Sequence, residues 1–317
     1  MPFAQLVIGP PGSGKSTYTF GMHQYLSAIG RKSSCVNLDP ANDHVQYPCA
    51  VDVRDLVKLE DVMDEETLGP NGSVVYAMEC VEENWGWMEQ RLKRLGEDYV
   101  IFDCPGQVEL FTVHDSLRKI IRKIEKMGYR LTVINLSDSH YLTTPSKFIS
   151  ILLLSLRSML NLPYPTLHVL SKIDLLSTYS PLPFRLDFYT EVQDLTHLIP
   201  LLEQEPGMKK FAKLNEAICE LVENFGLVGF EVLAVEDRKS MTRLLQAIDR
   251  AGGYVFGSSE GAGDDVFQLA MRQGWGEEVD IQERWVDRKE EYDEMERREM
   301  EEARERVLAE GEAMGGM

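Results

Sequence analysis

Nine residues, Gly9-Pro10-Pro11-Gly12-Ser13-Gly14-Lys15-Ser16-Thr17, carry the most specific chemistry in the chain. They satisfy G-x-x-x-x-G-K-[ST], a pattern whose glycines let backbone N–H groups turn inward around a phosphate. The apolar run Ala4 to Ile8 leads in as a buried strand would. Ser16 to Ile29 leads out as a helix, with Tyr18, Met22, Tyr25, Leu26 and Ile29 spread at helical spacing and its positive end aimed at the same anion. Lys15 is placed to reach the β- and γ-phosphates and the Ser16 hydroxyl to ligate Mg²⁺. Gly12, Ser13, Gly14, Lys15, Ser16 and Thr17 are thus the expected phosphate-binding residues of a nucleoside triphosphate site.

Two later stretches bear on which nucleotide binds and what becomes of it. Ser171-Lys172-Ile173-Asp174 follows an apolar strand and has the N/T/S-K-x-D form of a guanine site. A carboxylate at Asp174 can accept from guanine N1–H and the 2-amino group together, which adenine does not offer, and the Lys172 stem would lie along the base plane. Asp103-Cys104-Pro105-Gly106-Gln107 follows another strand. Asp103 suits a contact to Mg²⁺, Gly106 can turn its peptide toward a γ-phosphate, and Gln107 is then positioned to orient an attacking water. A small-molecule kinase remains an alternative, since its phosphate loop is similar, but it needs an arginine-rich lid and no Arg cluster stands at such a place. Hydrolysis of GTP is the preferred reading.

The elements that must hold these stretches are an alternation of apolar strands and helical segments. Strands are expected at Ala4–Ile8, Ser33–Leu38, Tyr99–Asp103, Arg130–Leu136, Thr166–Leu170 and Phe230–Val235. Helical spacing is expected through Val53–Met63, in one long helix carrying Met78, Val81, Trp85, Met88, Leu92 and Leu95, around Phe148–Leu160 and over Met241–Ala251. The stripe from Met78 to Leu95 suits core packing better than a dimer seam. The alternation implies an α/β fold, a mostly parallel sheet with helices on both faces, whose functional loops all follow the carboxyl ends of strands. A P-loop domain is expected over residues 1–257, with an insertion at 177–208 marked by Pro181, Pro183, Pro200 and Pro206 and by apolar residues that look exposed. A charged tail, partly helical or disordered, follows over 258–317 and includes the solvated stretch Glu290–Glu310.

Composition sets limits. At 317 residues there is ample material for a core. A formal net charge of −19 argues against direct nucleic-acid binding, which needs Lys and Arg to displace counterions. Cys35, Cys49, Cys80, Cys104 and Cys219 form no C-x-x-C pair, so reduced thiols in a cytosolic compartment are expected rather than disulfides or zinc. The N-terminus runs straight into the first strand, so no cleavable signal is expected, and the most apolar stretch, Phe148–Leu156, is too short to span a bilayer.

Taken together, Asp39-Pro40-Ala41-Asn42, Gly69-Pro70-Asn71, Asp103-Cys104-Pro105-Gly106-Gln107-Val108-Glu109 and Ser171-Lys172-Ile173-Asp174 resemble the motifs of the GPN-loop GTPases. Asp138-Ser139-His140-Tyr141, Lys147-Phe148-Ile149-Ser150 and Leu186-Asp187-Phe188-Tyr189-Thr190-Glu191-Val192 resemble the second of the family's three eukaryotic paralogous groups. The likeness covers roughly residues 3–257. It implies the fold class of signal-recognition and dimerising GTPases, Mg²⁺ with GTP or GDP, and a homodimer or a heterodimer with a paralogue. It also implies a role in assembly and nuclear import of RNA polymerases, hence polymerase subunits or assembly factors as partners and a cytoplasmic protein that shuttles to the nucleus. By the same resemblance Gly69, Pro70 and Asn71 reach across the dimer to the partner's phosphates, Asp39 sits near Mg²⁺ and the attacking water, Gln107 and Glu109 position that water, and the Ala234-Val235 loop touches guanine. Without the resemblance, Gly69-Pro70-Asn71-Gly72 reads as a β-turn. Pro10 stands where related dimerising ATPases carry a lysine that acts across the interface, so slow intrinsic turnover is expected. A different class of reading, a nucleotide-stabilised chaperone or scaffold with incidental hydrolysis, draws on the apolar insertion.

Overall fold

Strands covered on both faces need apolar residues at consecutive positions, and the runs that meet this requirement pair into one sheet. The computed structural model describes residues 1–254, 281–298 and 301. In chain order they form β1 (Phe3–Ile8), α1 (Lys15–Ala28), β2 (Ser33–Asn37), β3 (Cys49–Asp52), α2 (Leu59–Glu66), α3 (Pro70–Glu83), α4 (Trp85–Lys93) and β4 (Tyr99–Asp103). Then follow α5 (Val108–Thr112), α6 (Asp115–Lys126), β5 (Arg130–Asp138), α7 (Pro145–Asn161), β6 (Thr166–Ser171), α8 (Leu186–Glu191), α9 (Ile199–Gln204), α10 (Ala212–Phe225), β7 (Phe230–Leu233) and α11 (Arg238–Gly252). The sheet order is β3-β2-β4-β1-β5-β6-β7, with every pairing parallel. β1 lies between β4 and β5, where the connections turn from one side of the sheet to the other. That reversal opens a crevice at the strands' carboxyl ends, and the loop after β1 sits in it.

Alternation along each strand assigns its side chains to opposite cores. Ala4, Leu6, Ile8, Val100 and Phe102 face a cluster completed by Met78, Val81, Met88 and Leu92 of α3 and α4 and by Leu117, Ile120 and Ile121 of α6. Val7, Ile101, Ile134 and Leu136 face the other way, onto Tyr18, Met22 and Leu26 of α1 and Met241, Leu244 and Ile248 of α11. A third cluster joins α7 and β6 to α8–α10. Among the described residues no helix is long and apolar enough to cross a membrane, and all five cysteines are free thiols.

Several sequence expectations change. Of the helix expected across Val53–Met63, Val53–Asp55 is a short 3₁₀ turn and only Leu59 onward is helical, as α2; an edge strand not expected from sequence, β3, precedes it. The single long helix through Met78 and Leu95 is two, parted at Asn84, whose side-chain amide donates to Cys80 O at 2.9 Å and competes with the backbone ladder. Its apolar stripe is core, as expected. The insertion's apolar residues are not exposed: Leu186, Leu195, Leu198 and Leu202 are fully buried in the third cluster. The exposed apolar side chains lie just beyond it, at Phe211, Leu214, Leu221 and Phe225 on and before α10. Gly69-Pro70-Asn71-Gly72 is no β-turn, because Gly69 caps α3 and Pro70 occupies its first turn, where a missing N–H costs nothing. Of the tail, residues 289–298 are helical and largely solvated, yet Arg284 and Trp285 just before them are buried. The rest of the stretch to Glu310 lies outside the described residues, apart from Glu301.

Candidate nucleotide site

The loop after β1 closes by a Ser13 N–H bond to Pro10 O at 3.2 Å, and α1 starts at Lys15 with Gly14 in the left-handed region. At Gly9 φ is +144°, and a Cβ would stand 2.2 Å from Leu136 O, so only glycine lets the loop leave β1 beside β5. Lys15 is buried to 8% exposure and its Nζ donates to Gly9 O at 3.2 Å and Pro10 O at 3.3 Å. Desolvation lowers its pKa, partly offset by Asp103 and Asp39. The two carbonyls share its protons without neutralising its charge, which leaves a compact cation at the base of the loop. Ser13 is buried as well, and Thr17 is exposed on the first turn of α1.

Opposite Lys15 stands Asp103, at the tip of β4 and 1% exposed. Its Oδ2 accepts from Ser16 Oγ at 2.7 Å and from Tyr47 OH at 2.9 Å; its Oδ1 is buried with no hydrogen-bond partner among the described residues. Burial raises its pKa to about 6 against the help of those two hydroxyls and Lys15. A hydroxyl and a half-satisfied carboxylate of oxygen chemistry, side by side at the phosphate loop, suit Mg²⁺. Ser16 and Asp103 are the residues that fit it, with phosphate oxygens expected to complete the shell. Among the described residues no cluster of three His, Cys, Asp or Glu could hold a metal unaided. Asp39 accepts from Ala41 N–H at 2.9 Å, and burial raises its pKa too. Asn42 donates to Ser16 Oγ at 3.2 Å. Asp39, Ser16 and Asp103 are therefore joined through Asn42 and the Lys15 charge.

Gly106 approaches the loop so closely that a Cβ there would meet Lys15 Nζ at 2.8 Å. Gln107 follows at the N-cap of α5, with Glu109 exposed on that helix's first turn. Gln107 Nε2 donates to Asn71 Oδ1 at 3.4 Å, a long bond that brings two stretches far apart in sequence to one place. Gly69, Pro70 and Asn71 are all exposed, and the start of α3 has neither a side-chain cap nor an acidic residue in its first turn. Its N–H groups, and the positive end of its dipole, face outward.

The base side is assembled from β6 and β7. Ser171 Oγ donates to Ser13 O at 2.7 Å and Ser137 O at 3.1 Å, which ties the guanine-motif strand end to the phosphate loop. Lys172, in a left-handed conformation, donates to Gly12 O at 2.6 Å and pairs with Asp138 at 2.7 Å. Its stem is thereby laid flat beside Gly14, as a base platform requires. Asp174 is half-buried on the 3₁₀ turn Ile173–Thr178. Ala234 is buried at the end of β7, with Val235 next to it, and Ser240 Oγ accepts from the Ala234 N–H at 3.1 Å. Thus the P-loop, Asp39, Asp103, Gln107 and the Lys172 turn converge at one end of the sheet, with Asn71 at its rim. Three residues had no assigned role from sequence. Asn42 and Asp138 lie inside quoted motifs, and only their partners reveal what they hold. Tyr47, 4% exposed, has no sequence signal at all.

This fold and this loop define a P-loop nucleotide hydrolase built on a parallel sheet, and the comparisons narrow the class. A family profile described as "Conserved hypothetical ATP binding protein" matches residues 7–254. The GPN-loop GTPase 2 of Schizosaccharomyces pombe is 54% identical over 299 residues, covering 93% of this chain and 95% of the relative. That of Saccharomyces cerevisiae is 53% identical over 320 residues, covering 98% and 91%, and that of Danio rerio 50% over 258 residues, covering 81% and 83%. The crystal structure of a GTPase in apo form from Pyrococcus abyssi superposes with a TM-score of 0.63 at 26% identity, covering 78% of this chain and 97% of that one. The chain belongs to the GPN-loop GTPase family.

One test of the base side follows at once. In Asp174→Asn the amide can present a donor to guanine N1–H, so GTP affinity is expected to drop tenfold or more, about 1.5–3 kcal/mol for a hydrogen bond to a charged group. Xanthosine triphosphate, with a carbonyl at position 2, should recover much of that loss. Equal GTP affinity in the variant and the parent chain, by titration calorimetry, would remove Asp174 from the base site.

Proposed function

We propose that this GTPase is a dimeric, Mg²⁺-dependent switch whose hydrolytic state gates the assembly of a partner complex. By resemblance to its family, the partners are RNA polymerase subunits or assembly factors, met in the cytoplasm before nuclear import. The observation that carries the switch reading is the junction of Gly106 and Gln107. The Gly106 peptide lies against the phosphate loop, where a Cβ would meet Lys15 Nζ at 2.8 Å, and the Gln107 amide donates to Asn71 at 3.4 Å. A γ-phosphate drawn to Lys15 meets this peptide, so one junction responds to whether it is present.

In this mechanism Lys15 offsets charge on the β- and γ-phosphates from the base of the loop. Mg²⁺, held at Ser16 and Asp103, would supply further charge neutralisation of the phosphoryl oxygens. Gln107 orients the attacking water, and Asp39 and Glu109 flank it. The exposed, acid-free start of α3 is an anion-seeking surface, and a second subunit's triphosphate is the anion this proposal assigns to it. Asn71 brings a hydrogen bond and no charge, so turnover without a partner stays slow.

Two measurements bear on this. Multiple-turnover assays with GTP and ATP, with and without small-molecule acceptors, distinguish a GTPase from a kinase and decide between the two nucleotides. Gln107→Leu is expected to bind GTP nearly as the parent does while hydrolysis falls by about tenfold or more, because the glutamine acts on water in the transition state. Turnover at the parent rate would move the water to Asp39 or Glu109. The scaffold reading retains one favourable observation, the exposed apolar ridge Phe211, Leu214, Leu221 and Phe225. Client binding that is equal with GDP and with a non-hydrolysable GTP analogue would favour it over the switch.

A further inference from the structure

The charged segment near the C-terminus is docked against both loops that surround the base. Trp285, 4% exposed, packs in the cluster that contains Leu170, Ile173, Leu176, Phe230 and Ala234. Gln282 Oε1 accepts the Leu186 N–H at 2.7 Å. Arg284, 6% exposed, lies over the Trp285 ring and pairs with Asp293 and Glu296, both at 2.9 Å. Glu296 also meets Lys239, on the first turn of α11 just beyond the Ala234-Val235 loop, at 3.4 Å. Most directly, Lys289 Nζ donates to the Asp174 carbonyl and lies 3.4 Å from Ser177 Oγ, gripping the two halves of the turn that displays the Asp174 carboxylate.

We infer that residues 281–298 are an intrachain strap that sets the guanine-binding turn, with Lys289 a positioning residue acting through Asp174. A surface helix with this density of charge needs no contact with the domain to stay solvated. Here a buried tryptophan, the Gln282 bond to Leu186 and the Glu296–Lys239 pair hold it down, and its one lysine ends on the peptide of the specificity residue. A 3₁₀ turn leaves carbonyls without helical partners. An ammonium on the Asp174 carbonyl fixes that peptide plane, and with it the direction of the carboxylate. The coupling is reciprocal: guanine nucleotide that orders the turn also tightens the strap. Whatever binds the strap from outside therefore changes nucleotide affinity without touching the nucleotide.

The inference rests on Asp174 reading guanine, so the test is a double-mutant cycle in the full-length chain with fluorescent GDP as the probe. Lys289→Ala is expected to weaken GDP about three- to tenfold, within the coupling seen in shared hydrogen-bond networks. Lys289→Arg should restore most of the affinity, and Trp285→Ala, which frees the strap, should match Lys289→Ala. In an Asp174→Asn background Lys289→Ala should change affinity less than about twofold, since the group it positions no longer accepts from guanine. A purely structural lysine would lower thermal stability and leave GDP affinity alone. Native GDP affinity in both Lys289→Ala and Trp285→Ala, with cooperative melting intact, overturns the strap while leaving the base site standing. Undiminished loss from Lys289→Ala in the Asp174→Asn background overturns it as well. If Asp174→Asn itself binds GDP normally, the reading of Asp174 fails and the strap's role fails with it.

Discussion

Asp103→Asn is expected to make the nucleotide-free protein more stable and nearly inactive. Asp103 is buried and its carboxyl is pushed up to about 6. Its folded pKa thus exceeds the unfolded value, so the native state holds a proton more tightly than the unfolded chain does. The contribution of this group to stability is complete below about pH 4 and is lost as pH rises through about 6. At pH 7 the charged form costs on the order of 3 kcal/mol. An asparagine carries no such cost, and its oxygen can still accept from Ser16 and Tyr47. The melting temperature at pH 7 should rise by about 3–6 °C, and the gain should shrink as pH is lowered toward 4. Hydrolysis should fall on the order of a hundredfold or more, because a neutral amide is a poor Mg²⁺ ligand and the phosphoryl charge loses its counterweight. Scanning calorimetry across pH and a turnover assay read the two effects. A variant that melts lower at pH 7 would show that Ser16, Tyr47 and Lys15 already compensate the charge.

The second large effect is all-or-none and concerns Asn71. Chains carrying Asn71→Ala and chains carrying Lys15→Ala should each hydrolyse GTP poorly as homodimers, while a mixture regains activity. In the mixed dimer the Lys15→Ala subunit lends its intact Asn71 to the nucleotide in the other subunit's intact loop, and one competent site per dimer is restored. Asn71 is exposed on the first turn of α3, so its substitution should cost within about 0.5 kcal/mol of stability and leave folding out of the comparison. The 3.4 Å bond to Gln107 supplies the competing outcome. No recovery, with mixed dimers verified by native mass spectrometry, would mean that Asn71 acts inside its own chain by holding Gln107.

What could be read from sequence follows from where the physics is local. The strands that bear the site are buried on both faces, so Leu6-Val7-Ile8 and Val100-Ile101-Phe102 stand out as unbroken apolar runs. The P-loop and the Lys172 turn were legible because their spacing is the chemistry. β3 was not, because a four-residue edge strand, Cys49–Asp52, has too few residues to show a period. Gly69-Pro70 misled because a glycine cap followed by proline at a helix start and a β-turn use the same dipeptide. α6 carries Leu117, Ile120, Ile121 and Ile124 at clear helical spacing and could have been found. The docking of Trp285 could not, since apolar residues this sparse in a charged segment mark no face and the cluster it joins includes residues of β7 and the Ile173–Thr178 turn. Asn42 and Tyr47 likewise acquire meaning only when the fold brings Ser16 and Asp103 to them.

The place of β1 in the middle of the sheet has a consequence for the making of the protein. Ala4 pairs with Val100 and Phe3 with Arg130, so β1 finds neither neighbour until β4 and β5 have left the ribosome. At about 5–20 residues per second, the wait for β4 is on the order of 5–20 s, during which Leu6-Val7-Ile8 has no strand to lie against. β2 cannot help, because it pairs with β3 and β4 and never with β1. The nascent chain therefore carries its nucleotide loop on an unpaired apolar strand until Tyr99–Asp103 emerges, which makes that interval the one in which a holding chaperone has most to protect.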